Sequence, residues 1–296
     1  MASNRGTPAS SSENPASLVG VPASLFVTTF VGETTVISSS HTKSIDSLQN
    51  KVLQFISVAG ENGVIFFEPL GRREVREYLT PINSPSDSRD IAFSANALGF
   101  GGAQKFGKDG SFGLSIAYLR GTLSQSIHHT GVPDESKLDT GDGVRLNLGI
   151  RYPTGPAMWG LVLKNFPGFL WWKNHRRQLL PVTIQAGHTY RVRPGTLLSL
   201  EVQQLHYHEG SRTTEIIRSG FETQLAERIS IRGGIFTDEI NESKNHHYTG
   251  GITLESMSGV LASGGVERFK INDEKVIKTY ISLTVPFDTG KKDGKR

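Results

Sequence analysis

GVRLNLGIRY, residues 143–152, is the stretch that decides the fold. Its apolar residues alternate with polar or small ones: Val144, Leu146, Leu148, Ile150 and Tyr152 against Arg145, Asn147, Gly149 and Arg151. Side chains of a β-strand point to opposite faces with a period of two. The stretch is therefore predicted to be a strand with one apolar and one polar face.

The same alternation recurs along most of the chain, for example at 112–118, 198–203 and 277–287. The alternating segments run to about 12 to 16 residues, whereas strands of soluble proteins usually have about 5 or 6. Long amphipathic strands are typical of a transmembrane β-barrel, in which apolar side chains meet lipid and polar ones line the interior. A large soluble sandwich also alternates and is the alternative that composition alone would favour. Strand length and the even succession of hairpins favour the barrel.

Turn signals divide the chain into fourteen predicted strands. They are 24–40, 50–60, 62–80, 88–106, 111–129, 143–154, 157–172, 179–193, 195–209, 213–226, 228–241, 246–258, 259–272 and 275–288. Four short polar turns are predicted to be periplasmic: GKDG at 107–110, RPG at 193–195, LAER at 225–228 and NDEK at 272–275. Longer polar stretches at 81–88, 130–142 and 241–246 are predicted to be loops at the other end. Residues 44–56 also have helical spacing, so the early strands stay open.

The predicted fold is all-β, a transmembrane antiparallel β-barrel of about 14 strands with a short N-terminal plug. We expect residues 1–23 to be the plug or hatch segment, 24–288 the barrel, and 289–296 a basic C-terminal tail. The opening MASNRGTPASSS lacks the basic and apolar regions of an export signal. We therefore expect the numbering to describe a mature or re-engineered chain.

Composition excludes several classes of function. The 32 basic and 28 acidic residues give a net charge of only +4, and the basic residues are scattered, so nucleic acid is not an expected partner. The chain has no cysteine, which excludes disulfides and thiolate chemistry. His206 and His208 share a strand face, but we expect solvated histidines there and no metal or other cofactor. Without a motif such as G-x-S-x-G, we expect no catalytic residues and no enzyme.

Charged residues on the polar strand faces are expected to line the lumen and to pair with one another. The predicted lumen charges are Arg145, Arg151, Glu201, Arg218, Glu222, Arg228 and Arg232.

Aromatic residues concentrate in one hairpin region: Trp159, Phe166, Phe169, Trp171 and Trp172. An interfacial aromatic girdle is the favoured interpretation, because indole prefers the headgroup layer. A hydrophobic gate is the alternative. Pro167 removes a donor from the strand ladder, and Gly168 beside it loosens the backbone, which predicts a bulge or the end of membrane pairing. An ordinary loop tip would explain the pair equally well.

Three stretches carry resemblances, one to outer-membrane barrels in general and two to the FadL family and its PorV-like relatives. The strand KVIKTYISLTVPF, ending at Phe287, resembles the C-terminal signal of barrels recognised by the outer-membrane assembly machinery, although DTGKKDGKR follows it. Asn14-Pro15-Ala16 resembles the N-P-A element near the mature N-terminus of the family. The phrases from AMWGLVLKNFPGFLWW to HHYTGGITL, residues 157–254, follow the order of the family's strands.

This resemblance implies a barrel in the outer membrane of a Gram-negative cell, surrounded by outer-membrane lipid and inserted by the barrel-assembly machinery. It implies uptake of hydrophobic small molecules such as long-chain fatty acids. The alternative, from the PorV-like relatives, is a non-transporting barrel that anchors or shuttles a partner protein.

The resemblance also assigns residues. Asn14, Pro15 and Ala16 would form a plug inside the barrel, in contact with Arg145, Arg218 or Arg232. A kinked strand opens family members laterally to the bilayer. The candidate hydrophobic gate is accordingly Phe166, Pro167, Gly168, Phe169, Trp171 and Trp172.

Overall fold

The computed structural model describes residues 13–32, 35–38, 42–46, 52–78, 88–129, 132–208, 213–240, 243–271 and 274–287. Apart from a 3-10 helix at Pro15–Leu18, the regular elements within these ranges are strands. They are β1 (Ser24–Gly32), β2 (Thr35–Ser38), β3 (Thr42–Asp46), β4 (Val52–Gly60), β5 (Gly63–Tyr78), β6 (Ser88–Phe106), β7 (Gly110–His129), β8 (Val132–Thr154), β9 (Ala157–Lys164), β10 (Gly168–Trp172), β11 (Gln178–Leu179), β12 (Val182–Arg193), β13 (Thr196–His206), β14 (Thr213–Ala226), β15 (Ile229–Ile240), β16 (Ser243–Glu255), β17 (Leu261–Ile271) and β18 (Glu274–Pro286). No helix among the described residues is long and apolar enough to cross a membrane.

The strands form one closed antiparallel barrel. Four pairs of consecutive strands, β1 with β2, β3 with β4, β9 with β10 and β11 with β12, each fill one position of the wall, which gives a 14-stranded barrel. Closure comes from β1 and β18, whose register runs from Ser24 opposite Pro286 to Gly32 opposite Lys278. A closed wall leaves no unpaired edge, as a structure surrounded by lipid requires. The predicted fold class and strand number are confirmed.

The two faces of the wall follow the alternation in the sequence. On β7, Phe112, Leu114 and Ile116 are exposed on the outside, while Ser115 and Ala117 are buried on the inside. The same holds across the wall for the outward residues Ile65, Leu98, Phe100, Leu148, Ile150, Leu161, Leu198, Leu200, Ile217, Ile235, Ile252, Ile281 and Leu283. An apolar exterior of this kind is suited to lipid.

The two ends of the barrel differ. Short turns at 107–109, 155–156, 194–195 and 227–228 lie at the end that also holds the start of β1 and the end of β18. Three of the four predicted turns are among them. β17 ends at Ile271, opposite Glu274 at the start of β18, and this pair lies at the other end of the barrel, so the assignment of 272–275 to the periplasmic side was wrong. The chain has its short turn between β16 and β17 at 256–260 instead.

One local prediction fails, and one alternative that the sequence left open is resolved, because strand pairing overrides local composition. Most of the polar stretch 130–142 is not a loop: β8 begins at Val132 and pairs with β7 up to His129. The helical spacing of 44–56 is also misleading, since β3 and β4 are strands; residues 47–51 lie outside the described part of the chain. Backbone pairing with β5 satisfies the donors and acceptors that a helix would have paired internally. The tail 289–296 is likewise outside the described residues.

Candidate functional site

The N-terminal segment lies against the inner wall of the barrel. Asn14 caps the short helix, its Oδ1 accepting a hydrogen bond from the Ala16 N–H at 3.0 Å, and Pro15 occupies the first helical turn. Asn14 and Pro15 to Leu18 are buried. A cap residue followed by proline is a local signal for such a turn, because proline fixes φ and lacks a donor that would be unpaired there.

Two glycines form the seat of this segment. Gly113 and Gly149 stand opposite each other on β7 and β8. A Cβ at position 113 would lie 2.3 Å from the Pro15 carbonyl carbon, and one at 149 would lie 2.1 Å from Asn14 Oδ1. The Ser111 hydroxyl donates to the Ala16 carbonyl at 2.9 Å, beside this seat.

The observed contacts of the N-terminal segment differ from those expected from the sequence. Asn14 Nδ2 lies 3.4 Å from the Ile150 carbonyl oxygen, and Glu13 pairs with Lys164 at 3.3 Å. Apart from the pair with Lys164, the described bonds of Asn14 to Ala16 with the wall are with Ser111 and backbone, and none of them is with Arg145, Arg218 or Arg232. Sequence inspection missed Gly113 and Gly149 because glycine is common in these strands.

An apolar cluster fills the lumen beside this segment. Its buried members are Leu18, Val21, Phe26, Phe55, Ala59, Val64, Phe66, Ala97, Ala117, Leu119 and Leu170. Phe55 stacks on Phe66 with ring centres 5.7 Å apart. This part of the lumen therefore has an apolar core, although porin-type barrels have polar interiors.

Paired charges also lie on the inner wall, both beside the apolar cluster and on β13 and β14. Arg145 is buried and bonds to Glu68. Arg218 donates to Glu201 at 2.7 Å and to Gln203 at 2.5 Å. A cavity of about 220 Å³ separates Glu13 from Glu201, Arg218 and Phe236.

The remaining predicted lumen charges are less enclosed. Arg151 is half-buried, with its Nε 3.1 Å from Met158 Sδ. Glu222 and Arg232 stand opposite each other on β14 and β15 and are exposed. Arg228 is exposed in the turn at 227–228 and does not lie on a strand.

One buried charge cluster escaped the sequence analysis. The His247 ring lies between Phe236 and Phe269, with ring centres 4.1 and 4.3 Å away. Its two nitrogens face carboxylates, Nδ1 at 2.7 Å from Glu267 and Nε2 at 3.0 Å from Asp238. The alternation did predict that the neighbouring histidines at 246 and 247 point to opposite faces. Only the folded wall reveals the partners of His247, which come from β15 and β17.

The seventh wall strand is interrupted between β9 and β10. Asn165 has a φ of 58°, and Phe166 and Pro167 bond to Leu146 through main-chain atoms at 2.9 Å. Side chains replace the missing ladder bonds. Asn147 Oδ1 accepts from the Asn165 N–H at 3.0 Å, and Asn165 Nδ2 donates to the Pro181 carbonyl at 2.9 Å. The interruption predicted at Pro167-Gly168 is therefore present as a kink. The side chains of Asn147 and Asn165, here called the staple, hold it in place.

The aromatic residues around the kink do not form one group. Phe166 and Trp171 are about half exposed, while Phe169, between Phe166 and Trp171 in sequence, meets Trp171 edge to face at 4.3 Å. Trp172 is half-buried and lies over Gly121 and Gly141. Gly168 is buried and Pro167 exposed.

Trp159 lies apart from these residues. It sits near the turn at 155–156, opposite Tyr152, at the other end of the barrel. The sequence analysis therefore placed Trp159 in one group with aromatic residues that lie nearer the opposite end of the barrel.

Comparisons with known proteins agree with this geometry. No protein-family model and no curated sequence matches the chain. Among solved structures, the CymD monoaromatic hydrocarbon channel has a TM-score of 0.62 at 11% identity, covering 94% of this chain and 92% of that one. The toluene transporter TodX of P. putida gives 0.60 at 11% identity, with 95% and 94% covered. A Pseudomonas aeruginosa FadL homologue gives 0.57 at 10% identity, with 96% and 95% covered. The chain therefore has a FadL-like fold.

Proposed function

We propose that this FadL-like barrel resides in the outer membrane of a Gram-negative cell and takes up hydrophobic small molecules, long-chain fatty acids or similar compounds. Its fold neighbours include a monoaromatic hydrocarbon channel and a toluene transporter. The apolar exterior supports membrane residence, and the apolar cluster in the lumen supports a hydrophobic cargo.

The kink in the seventh wall strand is the observation that carries this proposal. Phe166 opposes Leu146 through main-chain hydrogen bonds, and Leu146 lies opposite Ile116, so the kink stands at the height of the outer apolar band. Immediately past the kink, Leu170 turns inward and is only 1% exposed within the apolar cluster. A compound that leaves the cluster at this height would enter lipid without crossing a polar layer.

Passage requires β10 to move. Leu170 packs against the cluster, and the bonds of Asn165 to Asn147 and Pro181 hold the kink. The pairing of β10 with β8, from Gly168 to Trp172, and with β11 must also open, which is a local unfolding of the μs–s range. The N-terminal segment would seal the lumen below, leaving the lateral route as the exit.

A cross-link at the kink tests the proposal. The chain has no cysteine, so the double variant N165C/P181C can be joined by a short bis-maleimide without competing thiols. The Asn165 side chain already reaches the Pro181 carbonyl. We expect cross-linking to reduce uptake of a labelled long-chain fatty acid or monoaromatic compound at least tenfold in cells that express the barrel.

The matched control is L198C/F221C, a directly opposed pair on β13 and β14 in uninterrupted wall. Cross-linking this pair should leave uptake unchanged. Equal uptake with the kink locked would remove the lateral exit. If uptake also survives deletion of the gene and a stoichiometric partner protein copurifies, the PorV-like anchor becomes the better explanation.

A further inference from the structure

A basic tip stands above the kink. Residues 173–177, KNHRR, connect β10 to β11 and are exposed. Among the described residues, no ion pair involves Lys173, Arg176 or Arg177. Within the described ranges, the tip therefore presents three positive charges without an anionic partner, at the end of the barrel opposite the short turns.

The tip is fixed in place by one buried carboxylate. Asp139 on β8 bonds to the His175 ring and accepts from the Asn174 N–H at 3.1 Å. Burial raises the pKa of Asp139, but hydrogen bonds from His175 and from the Asn174 and Thr140 N–H groups outweigh it, so the net pKa is lower than usual. The Lys173 N–H also donates to the Thr140 carbonyl at 3.1 Å. Asp139 is thus engaged in holding the loop.

The tip stands at the outer boundary of the apolar band. Trp171 pairs with Asp142 on β8, and Asp142 lies opposite Arg120 on β7. Arg120 and Asp142 form an exposed ion pair at 2.6 Å, which marks the end of the lipid-facing surface. The Arg177 guanidinium lies 5.8 Å from the centre of the Phe169 ring, on the outer side of the wall.

We propose that the basic tip binds the phosphates of a phosphorylated lipid in the outer leaflet, of the lipid A type. This inference rests on the proposed outer-membrane location. Trp171 and Phe166 supply the interfacial aromatic surface that faces acyl chains, and Lys173, Arg176 and Arg177 supply donors at headgroup height. Arginine binds phosphate bidentately, and lysine adds a point charge.

The choice of ligand follows from charge and position. The nearby acids, Asp139 and Asp142, already have cationic or hydrogen-bonding partners, so they do not neutralise the tip. A single phosphodiester headgroup would satisfy one cation, whereas three cations close together suit a headgroup with two phosphates. A lipid bound here would sit directly over the kink, beside the proposed exit.

Native mass spectrometry of the purified full-length barrel in mild detergent tests this inference. The probes are bisphosphorylated lipid A, the same lipid after removal of both phosphates, and inorganic phosphate. We expect the triple variant K173S/R176S/R177S to bind bisphosphorylated lipid A about a hundredfold more weakly than the parent chain, as three basic side chains at an anionic surface imply. The dephosphorylated lipid should bind both proteins weakly and equally.

Two further variants make the result decisive. R191S/R193S/K108S removes three exposed cations from the other end of the barrel and should bind like the parent. K173R/R176K/R177K keeps the charges and should retain binding, which separates loss of charge from loss of fold. Equal binding by the triple serine variant, or full displacement by inorganic phosphate, would overturn the inference. Because binding is measured on purified protein, an uptake defect or its absence leaves this result intact.

Discussion

At the scale of single residues, the informative positions are two glycines of the inner wall. Because Gly113 and Gly149 have no side chain, the Asn14-Pro15-Ala16 turn packs directly against the main chain of the wall. Their neighbours on the same face, Ser111 and Asn147, are polar and buried. The wall therefore combines close approach with hydrogen bonding where the N-terminal segment is seated.

Alanine at either glycine should displace the segment. The added methyl would overlap the Pro15 backbone or the Asn14 side chain, and overpacking of this kind costs about 1–3 kcal/mol. We expect Gly113→Ala and Gly149→Ala to leave the barrel folded and to expose residues 13–20 to limited proteolysis. Gly250→Ala, where a Cβ meets nothing within 4 Å, is the control. Protection equal to that of the parent in both variants would show that the segment is held elsewhere.

At the scale of elements, the kink depends on side chains that substitute for main-chain bonds. Asn147 is 2% exposed; its Oδ1 accepts from the Asn165 N–H, and its Nδ2 donates to the Ser115 hydroxyl oxygen at 3.2 Å. The hairpin of β10 and β11 extends from this staple to the basic tip. Removing the hydrogen bonds of the staple should therefore make the β10–β11 hairpin more mobile, while the other strands keep their backbone hydrogen bonds.

Asn147→Leu tests the staple by hydrogen exchange. The change leaves the Asn165 N–H without its acceptor, at a cost of about 1–3 kcal/mol. We expect exchange of the amides from Phe166 to Leu170 to quicken by about 10- to 100-fold. Amides of β13 and β14 in the same sample are the internal reference. Uniform acceleration in all strands would indicate global destabilisation and no specific role for the staple.

At the scale of the whole molecule, the lumen combines an apolar cluster with charged pairs. The cluster is built from the N-terminal segment and from β1, β4 to β7 and β10, whereas the pairs of Arg218 with Glu201 and of His247 with Glu267 lie on β13 to β17. The N-terminal segment contributes Leu18 and Val21 to the cluster and Glu13 to the lining of the cavity of about 220 Å³. Its removal would therefore take contacts away from both regions.

Deleting residues 2–20 should raise the permeability of the barrel to small solutes. Deletion of 2–12 alone keeps the seated segment and is the matched control. We expect liposome swelling or planar-bilayer conductance to rise several-fold more with the longer deletion. Similar values for the two deletions would mean that Glu13 to Gly20 is not the barrier.

Much of the barrel was predictable because alternation is a local property. Each outward residue from Val144 to Tyr152 is two positions from the next, so the faces follow from adjacency alone. Turns such as 107–109 are likewise encoded by their own glycine and polar residues. The break at Pro167 was visible for the same reason, whereas the Asn14-Pro15-Ala16 element was identified by its resemblance to the FadL family.

Sequence alone thus determined the barrel class, its strand number and which side chains face lipid. Only the tertiary structure decided what meets inside: the glycine seat, the sandwich around His247, the inward turn of Leu170 and Trp172, and the tether between Asp139 and His175. These contacts join residues from different strands, and the register of every intervening hairpin sets their positions. A one-residue shift in any hairpin would exchange the two faces, so such contacts are fixed only when the wall closes between β1 and β18.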